Sequence, residues 1–183
     1  MNRWILAAAA AALLVVPQAA WPQAHQPYAG LETQPIKALS NQQMADLKAG
    51  RGMGMALAAE LNGYPGPMHV LELAGPLGLT SAQRDSMTEL FEAMKAEAIV
   101  LGEKLIAAEA DLDRQFAGKT VTDASLLAGV QNVASAQGGL RAAHLKYHLA
   151  TVAVLTPEQI RRYADLRGYA GGASPSHHGG GIN

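Results

Sequence analysis

The chain of 183 residues contains no cysteine. That excludes a disulfide framework, a thiolate metal site, a cysteine nucleophile and a lipid-modified cysteine. Aromatic residues make up only 5%, and the β-branched and aromatic runs of a sheet protein are missing. Net charge is scarce too: 14 Lys and Arg stand against 15 Asp and Glu, which leaves no electrostatic footprint for nucleic acid. The motifs of catalysis are absent, with no Gly-x-Ser-x-Gly and no His-Glu-x-x-His. Asp111 and Asp113 are two residues apart and cannot share a helix face. The Gly-rich run Gly50-Arg51-Gly52-Met53-Gly54-Met55 lacks the Gly-Lys-Ser/Thr end of a phosphate loop. No enzyme is expected. What is present is alanine and aliphatic residue in quantity, for a hydrophobic content of 49%. With so few aromatics this favours thin, closely packed helices and an all-α protein.

The first residues have the three parts of an export signal. Asn2 and Arg3 precede the apolar run Trp4 to Val16, and Pro17 and the small-residue stretch Gln18 to Ala24 follow. The apolar run falls short of the roughly 20 residues that a membrane span needs. Residues 1–24 are therefore read as a signal peptide cleaved after Ala20 or Ala24, leaving an exported product with no stable membrane insertion.

Residues 25–49 read as a linker with a short helix, since scattered prolines give way to a capping box at Ser40 and Gln43. A helical domain is expected over 50–169. Pro67 follows the turn Tyr64-Pro65-Gly66 and opens a short helix. Thr80 and Gln83 then cap the longest periodic segment, in which Met87, Phe91, Met94, Ala98, Leu101, Leu105, Ala108 and Leu112 form a heptad seam. A helix of about 35 residues is about 50 Å long, so its seam needs a partner helix alongside. Gly118 and Lys119 break the pattern, and Thr120 or Thr122 caps the next helix, which must return antiparallel as a hairpin. Gly138-Gly139 within it suggests a kink or a tight crossing. Thr156-Pro157-Glu158-Gln159 starts a last short helix. Residues 170–183, with His177-His178 among glycine and serine, read as a disordered tail.

On the second long helix His144 and His148 lie one above the other. Leu126, Val130, Val133, Leu140 and Leu155 fall within roughly 40° of His144, so both imidazoles look inward. Two readings remain open. The pair could be core histidines hydrogen-bonded to a neighbour, or half of a metal site, because imidazoles at i, i+4 can share one ion.

The two motifs Leu79-Thr80-Ser81-Ala82-Gln83 and Leu155-Thr156-Pro157-Glu158-Gln159 each open a helix on one side of the hairpin. In this the chain resembles the periplasmic Spy/CpxP family, which includes ZraP-like and CnrX-like heavy-metal proteins. The resemblance covers roughly Gly50 to Tyr169. It implies a periplasmic location, a hairpin with short flanking helices, and a homodimer shaped like a cradle. For activity it implies ATP-independent binding of unfolded or misfolded envelope proteins, or sensing or buffering of zinc, nickel or copper without chaperone activity, with an envelope stress-signalling protein as a further partner. CnrX-like sensors carry a His-x-x-x-Met pair on the late helix, where this chain has His144 and His148. Their early His-x-x-x-His pair is missing, because His69 is followed four residues on by Leu73. The remaining ligands for a divalent ion would be His69 and Glu72, three apart on one face, with Met68 as a softer option. The basic cradle of the Spy-like chaperones is also not matched.

Overall fold

The computed structural model describes residues 28–169. The export signal read over 1–24 and the tail read over 170–183 lie outside the described residues. Among the described residues the chain forms six helices and no strand: α1 (Asn41–Lys48), α2 (Leu57–Glu60), α3 (Pro67–Glu72), α4 (Ser81–Ala117), α5 (Asp123–Val154) and α6 (Pro157–Leu166). Four of them begin on a complete capping box, at Ser40/Gln43, Thr80/Gln83, Thr122/Ser125 and Thr156/Gln159. In each, the hydroxyl accepts a backbone N–H of the first turn and the third side chain accepts the N–H of the cap, satisfying two donors that have no partner within the helix.

The long hairpin is α4 against α5. With 37 residues, α4 is about 55 Å long. It ends at Gly118, and Lys119 adopts a left-handed φ of 52° to reverse the chain. The buried stripe on α4 is Met87, Met94, Ala98, Gly102 and Leu105; Leu101 packs partly buried against the core as expected, and Gly102 is buried beside it. The reason is α1. A Cβ on Gly102 would stand 2.6 Å from the Leu47 carbonyl oxygen, and only glycine lets α1 cross this closely. The expected tight crossing at Gly138-Gly139 is found elsewhere. A Cβ on Gly138 would meet nothing and one on Gly139 would lie 3.7 Å from Leu101, whereas Gly129 faces Leu112 at 3.0 Å.

The core has two centres. Val70, Leu77, Leu79, Met87, Leu155 and Tyr163 gather at the end of the hairpin where α3 and α6 pack. Ile36, Leu39, Leu47, Ala98, Leu105 and Leu140 gather further along it. The first three of these come from the stretch read as a linker, so the packed domain begins at Ile36. Their burial is a tertiary effect: Ile36 and Leu39 precede α1, and Leu47 is the one buried residue that α1 itself supplies, too few for an apolar period. On α5 the N-terminal half is covered only in part, at Gly129, Val133 and Ala136, and Leu126 and Val130 are exposed. Leu155 leaves the helical face, being the C-cap of α5, yet is buried in the first centre.

Candidate functional site

Between the two core centres α4 and α5 floor a cleft of about 920 Å³. Phe91, Met94 and Ile99 of α4 make one wall, and Met53, Leu57 and Met68 form the lip. Lys48, Arg51 and Lys95 also line it. Gly50 anchors the loop above, with a left-handed φ of 66° and room for no side chain, since a Cβ would lie 2.9 Å from the Lys95 carbonyl oxygen.

Both inward histidines reach this cleft. His144 is 2% exposed, and its Nε2 has no hydrogen-bond partner among the described residues. Gly52 lies over the other ring edge, where a Cβ would stand 3.9 Å from Cε1 and Nδ1. Burial, and secondarily the neighbouring His148, hold the His144 pKa below the usual imidazole range, so the ring is neutral at pH 7. His148 has a defined task. Its Nδ1 lies 2.6 Å from the Tyr64 carbonyl oxygen, and because a carbonyl only accepts, Nδ1 carries the hydrogen. Its Nε2 faces Gly66, where a Cβ would stand 2.8 Å away. The turn before α3 is thus seated directly on the imidazole, which requires glycine at 66.

Beside His148 is a buried carboxylate. Glu60, 7% exposed, accepts at Oε1 from the hydroxyls of Tyr163 and Tyr169, the latter at 3.1 Å, and at Oε2 from the Gly66 N–H at 3.2 Å. Arg167 Nε is 3.8 Å from Oε1, and His148 Nδ1 is 3.8 Å from Oε2. Burial first, and the bond to Glu60 second, push the Tyr163 pKa far above the ordinary phenol range. This one side chain joins α2, the turn before α3, α6 and the segment after it.

At the end of the hairpin the two Leu-Thr-x-x-Gln motifs clasp each other. Leu79 and Leu155 are buried in the same core centre, which brings the two capping boxes face to face. Gln83 Nε2 donates to Gln159 Oε1 at 2.8 Å and to the Val154 carbonyl at 3.1 Å. Gln159 Nε2 donates back to Gln83 Oε1 at 3.0 Å and to the Leu77 carbonyl at 3.5 Å. Each Oε1 meanwhile accepts from its own cap, Thr80 N at 3.1 Å and Thr156 N at 2.9 Å. The Val154 carbonyl closes α5 and has no intrahelical partner, so Gln83 caps one helix and ends another. The sequence profile described as LTXXQ motif family protein matches residues 68–167, which is just over half of the chain and holds both motifs.

The chain belongs to the LTXXQ motif family.

This is the family of Spy/CpxP-like proteins, which are typically periplasmic. Neither a curated protein nor a solved structure matches the chain significantly. No helix among the described residues is long and apolar enough to cross a membrane. The family signature sits on Leu79, Thr80, Gln83, Leu155, Thr156 and Gln159, all of which meet in the clasp. The four expected metal ligands stand otherwise. They form two pairs, His144 with His148 on α5 and His69 with Glu72 on α3, where His69 Nδ1 lies 3.0 Å from Glu72 Oε2, and His69, His144 and His148 all line the cleft. Among the described residues no three His, Asp or Glu side chains converge to hold an ion, so the groups present do not fit a closed metal site in this conformation. The sequence reading missed Glu60. Its one signal was a lone charge in the apolar run Leu57-Ala58-Ala59-Glu60-Leu61.

Proposed function

We propose that this LTXXQ-family protein is a periplasmic, ATP-independent holdase for unfolded or misfolded envelope proteins. The observation that supports this reading is the lip of the cleft, where Met53, Leu57 and Met68 are 39%, 54% and 40% exposed. Methionine is flexible and polarizable, so a surface rich in it fits many apolar sequences weakly. Clients are held by side-chain contact at this lip, with their backbones left in water. A chemically denatured client diluted into buffer should stay in solution at a near-stoichiometric ratio of this protein. Aggregation that proceeds unchanged at several-fold excess would sink the reading. Changing Met53, Leu57 and Met68 together to serine should remove most of the protection without altering helix content.

A second apolar surface lies at the tip of the hairpin, where Phe116, Leu127 and Val130 are 54%, 60% and 48% exposed. A monomer would leave this patch to water, and a second copy of the chain offers the same patch in return. Sedimentation at tens of micromolar should therefore give a dimer, and Leu127→Asp with Val130→Asp should give a monomer. A monomeric wild type would remove the proposal.

A second functional reading, metal binding, is favoured by one observation, the unpartnered Nε2 of His144. On that reading the protein lacking His177 and His178 takes up zinc, nickel or copper in native mass spectrometry, and His144→Ala loses the ion. Uptake falls in acid as pH drops through the depressed range of the His144 ring, because imidazole binds metal only when neutral. Equal uptake by both proteins would leave His144 with a packing role.

A further inference from the structure

The interior of the cleft differs in character from its lip. Its walls are mainly apolar, with His69, His144 and His148 also in the lining, and its one acidic group, Glu60, has both oxygens occupied by hydrogen bonds. Of its three cations Arg51 is paired with Asp46 at 2.6 Å, while Lys48 and Lys95 take part in no ion pair among the described residues. His144 contributes no charge at neutral pH, being held below the usual imidazole range by burial. The uncompensated charge is positive and resides in the two lysines. The space, about 920 Å³, falls in the range of small-molecule sites. The loop over it is folded at some conformational cost: Met53 holds a left-handed φ of 46°, which a non-glycine residue adopts only when its surroundings impose it. At 39% exposure Met53 is not there to fill the core.

We propose that this cleft binds a small amphipathic monocarboxylate, an apolar chain or ring system lying along Phe91 and Met94 with its single carboxylate at Lys48 and Lys95. A threaded peptide suits the interior poorly. Its many backbone N–H and C=O groups would find few side-chain partners here beyond the His144 Nε2 and the two lysines, and each unpaired group costs desolvation. An alkyl body carries no such groups. With Arg51 offset by Asp46, the two lysines and the Glu60 carboxylate leave one net positive charge for a single carboxylate to balance, and the apolar part of the walls excludes a compact, strongly hydrated anion. The site is independent of the holdase reading, because clients meet the lip and this ligand meets the interior.

The test is isothermal titration calorimetry on the full-length mature protein with decanoate, decanol and decylamine as probes. Decanoate should bind saturably at one per chain. Decanol should bind roughly tenfold more weakly and decylamine more weakly still. Lys48→Gln with Lys95→Gln should lower decanoate affinity roughly tenfold and leave decanol unchanged. Gly52→Leu places a side chain over the His144 ring at a position with an ordinary φ, and should abolish binding of both probes with helix content and Tm unaltered. Equal affinity for all three probes, or decanoate binding unchanged in the lysine variant, would overturn the proposal. The lysine variant changes only rim side chains, so it decides the matter even if Gly52→Leu unfolds. Client protection assayed without any probe tests the holdase reading separately, and either can fail while the other stands.

Discussion

Glu60→Ala should lower the stability of the fold by about 3 kcal/mol or more. Two buried donors, the Tyr163 hydroxyl and the Gly66 N–H, lose their acceptor, and an unsatisfied buried group costs about 1–3 kcal/mol. The cavity left by the side chain adds to this. Urea unfolding followed by circular dichroism measures the loss. Glu60→Gln separates shape from hydrogen bonding. Its carbonyl oxygen still serves both phenols, but its amide meets the Gly66 N–H donor to donor, so a loss of about 1–2 kcal/mol is expected. A Glu60→Ala protein as stable as wild type would show that the network contributes nothing net. The same network predicts a weakness in alkali. The Tyr163 pKa is raised in the folded chain from a reference of 10.0, so the unfolded chain releases the phenol proton first. Its stabilisation is complete below about pH 10 and is lost as pH climbs beyond that toward the folded value. Tyr163→Phe should flatten the decline in stability above pH 10, at a cost of about 1 kcal/mol near neutrality.

Gln83→Glu should cost about 2 kcal/mol at pH 7 through the family motif itself. The carboxylate can still accept the Thr80 N–H, so the capping box of α4 survives. It can no longer donate to Gln159 Oε1 or to the Val154 carbonyl, and it sets a negative charge against both. Gln83→Ala loses the cap as well and should cost about 3 kcal/mol. Lowering the pH to protonate the new carboxyl should recover part of the Gln83→Glu loss, because the acid can donate one hydrogen bond. The glutamines act as a pair, so the double change with Gln159→Ala should cost clearly less than the sum of the single changes. Strict additivity would mean that the two motifs are separate helix caps that happen to be neighbours.

Much of this architecture was legible locally. The capping boxes at Ser40, Thr80 and Thr156 could be read three residues at a time, because a hydroxyl at the cap and a glutamine three on satisfy each other within one turn. The long seam on α4 was legible because period alone places Met87, Met94, Ala98 and Leu105 on one face. That His144 and His148 look inward followed from the same periodicity, and both are buried. What period cannot give is the identity of the partner. Gly102 is buried beside the seam residue Leu101 because α1, more than fifty residues earlier, crosses there. The tight contact on α5 falls at Gly129 and not at Gly138-Gly139 for the same kind of reason.

The sequence by itself determined the family, through two motifs whose spacing is set by the geometry of a helix N-terminus, and the all-α hairpin, through apolar spacing and an absence of strand-forming runs. Only the tertiary structure decided what the motifs do to each other and what the histidines face. Gln83 and Gln159 are 76 residues apart and meet because Leu79 and Leu155 are buried in one core. Glu60 is 103 residues from Tyr163, and nothing near it in the chain announces that its partners are two phenols. His148 is held by a backbone carbonyl from the turn at Tyr64, while the Nε2 of His144 has no partner among the described residues. Local rules govern groups within a turn or two of each other; the partners of a buried polar group are chosen by packing, and packing brings together residues whose separation along the chain carries no information about it.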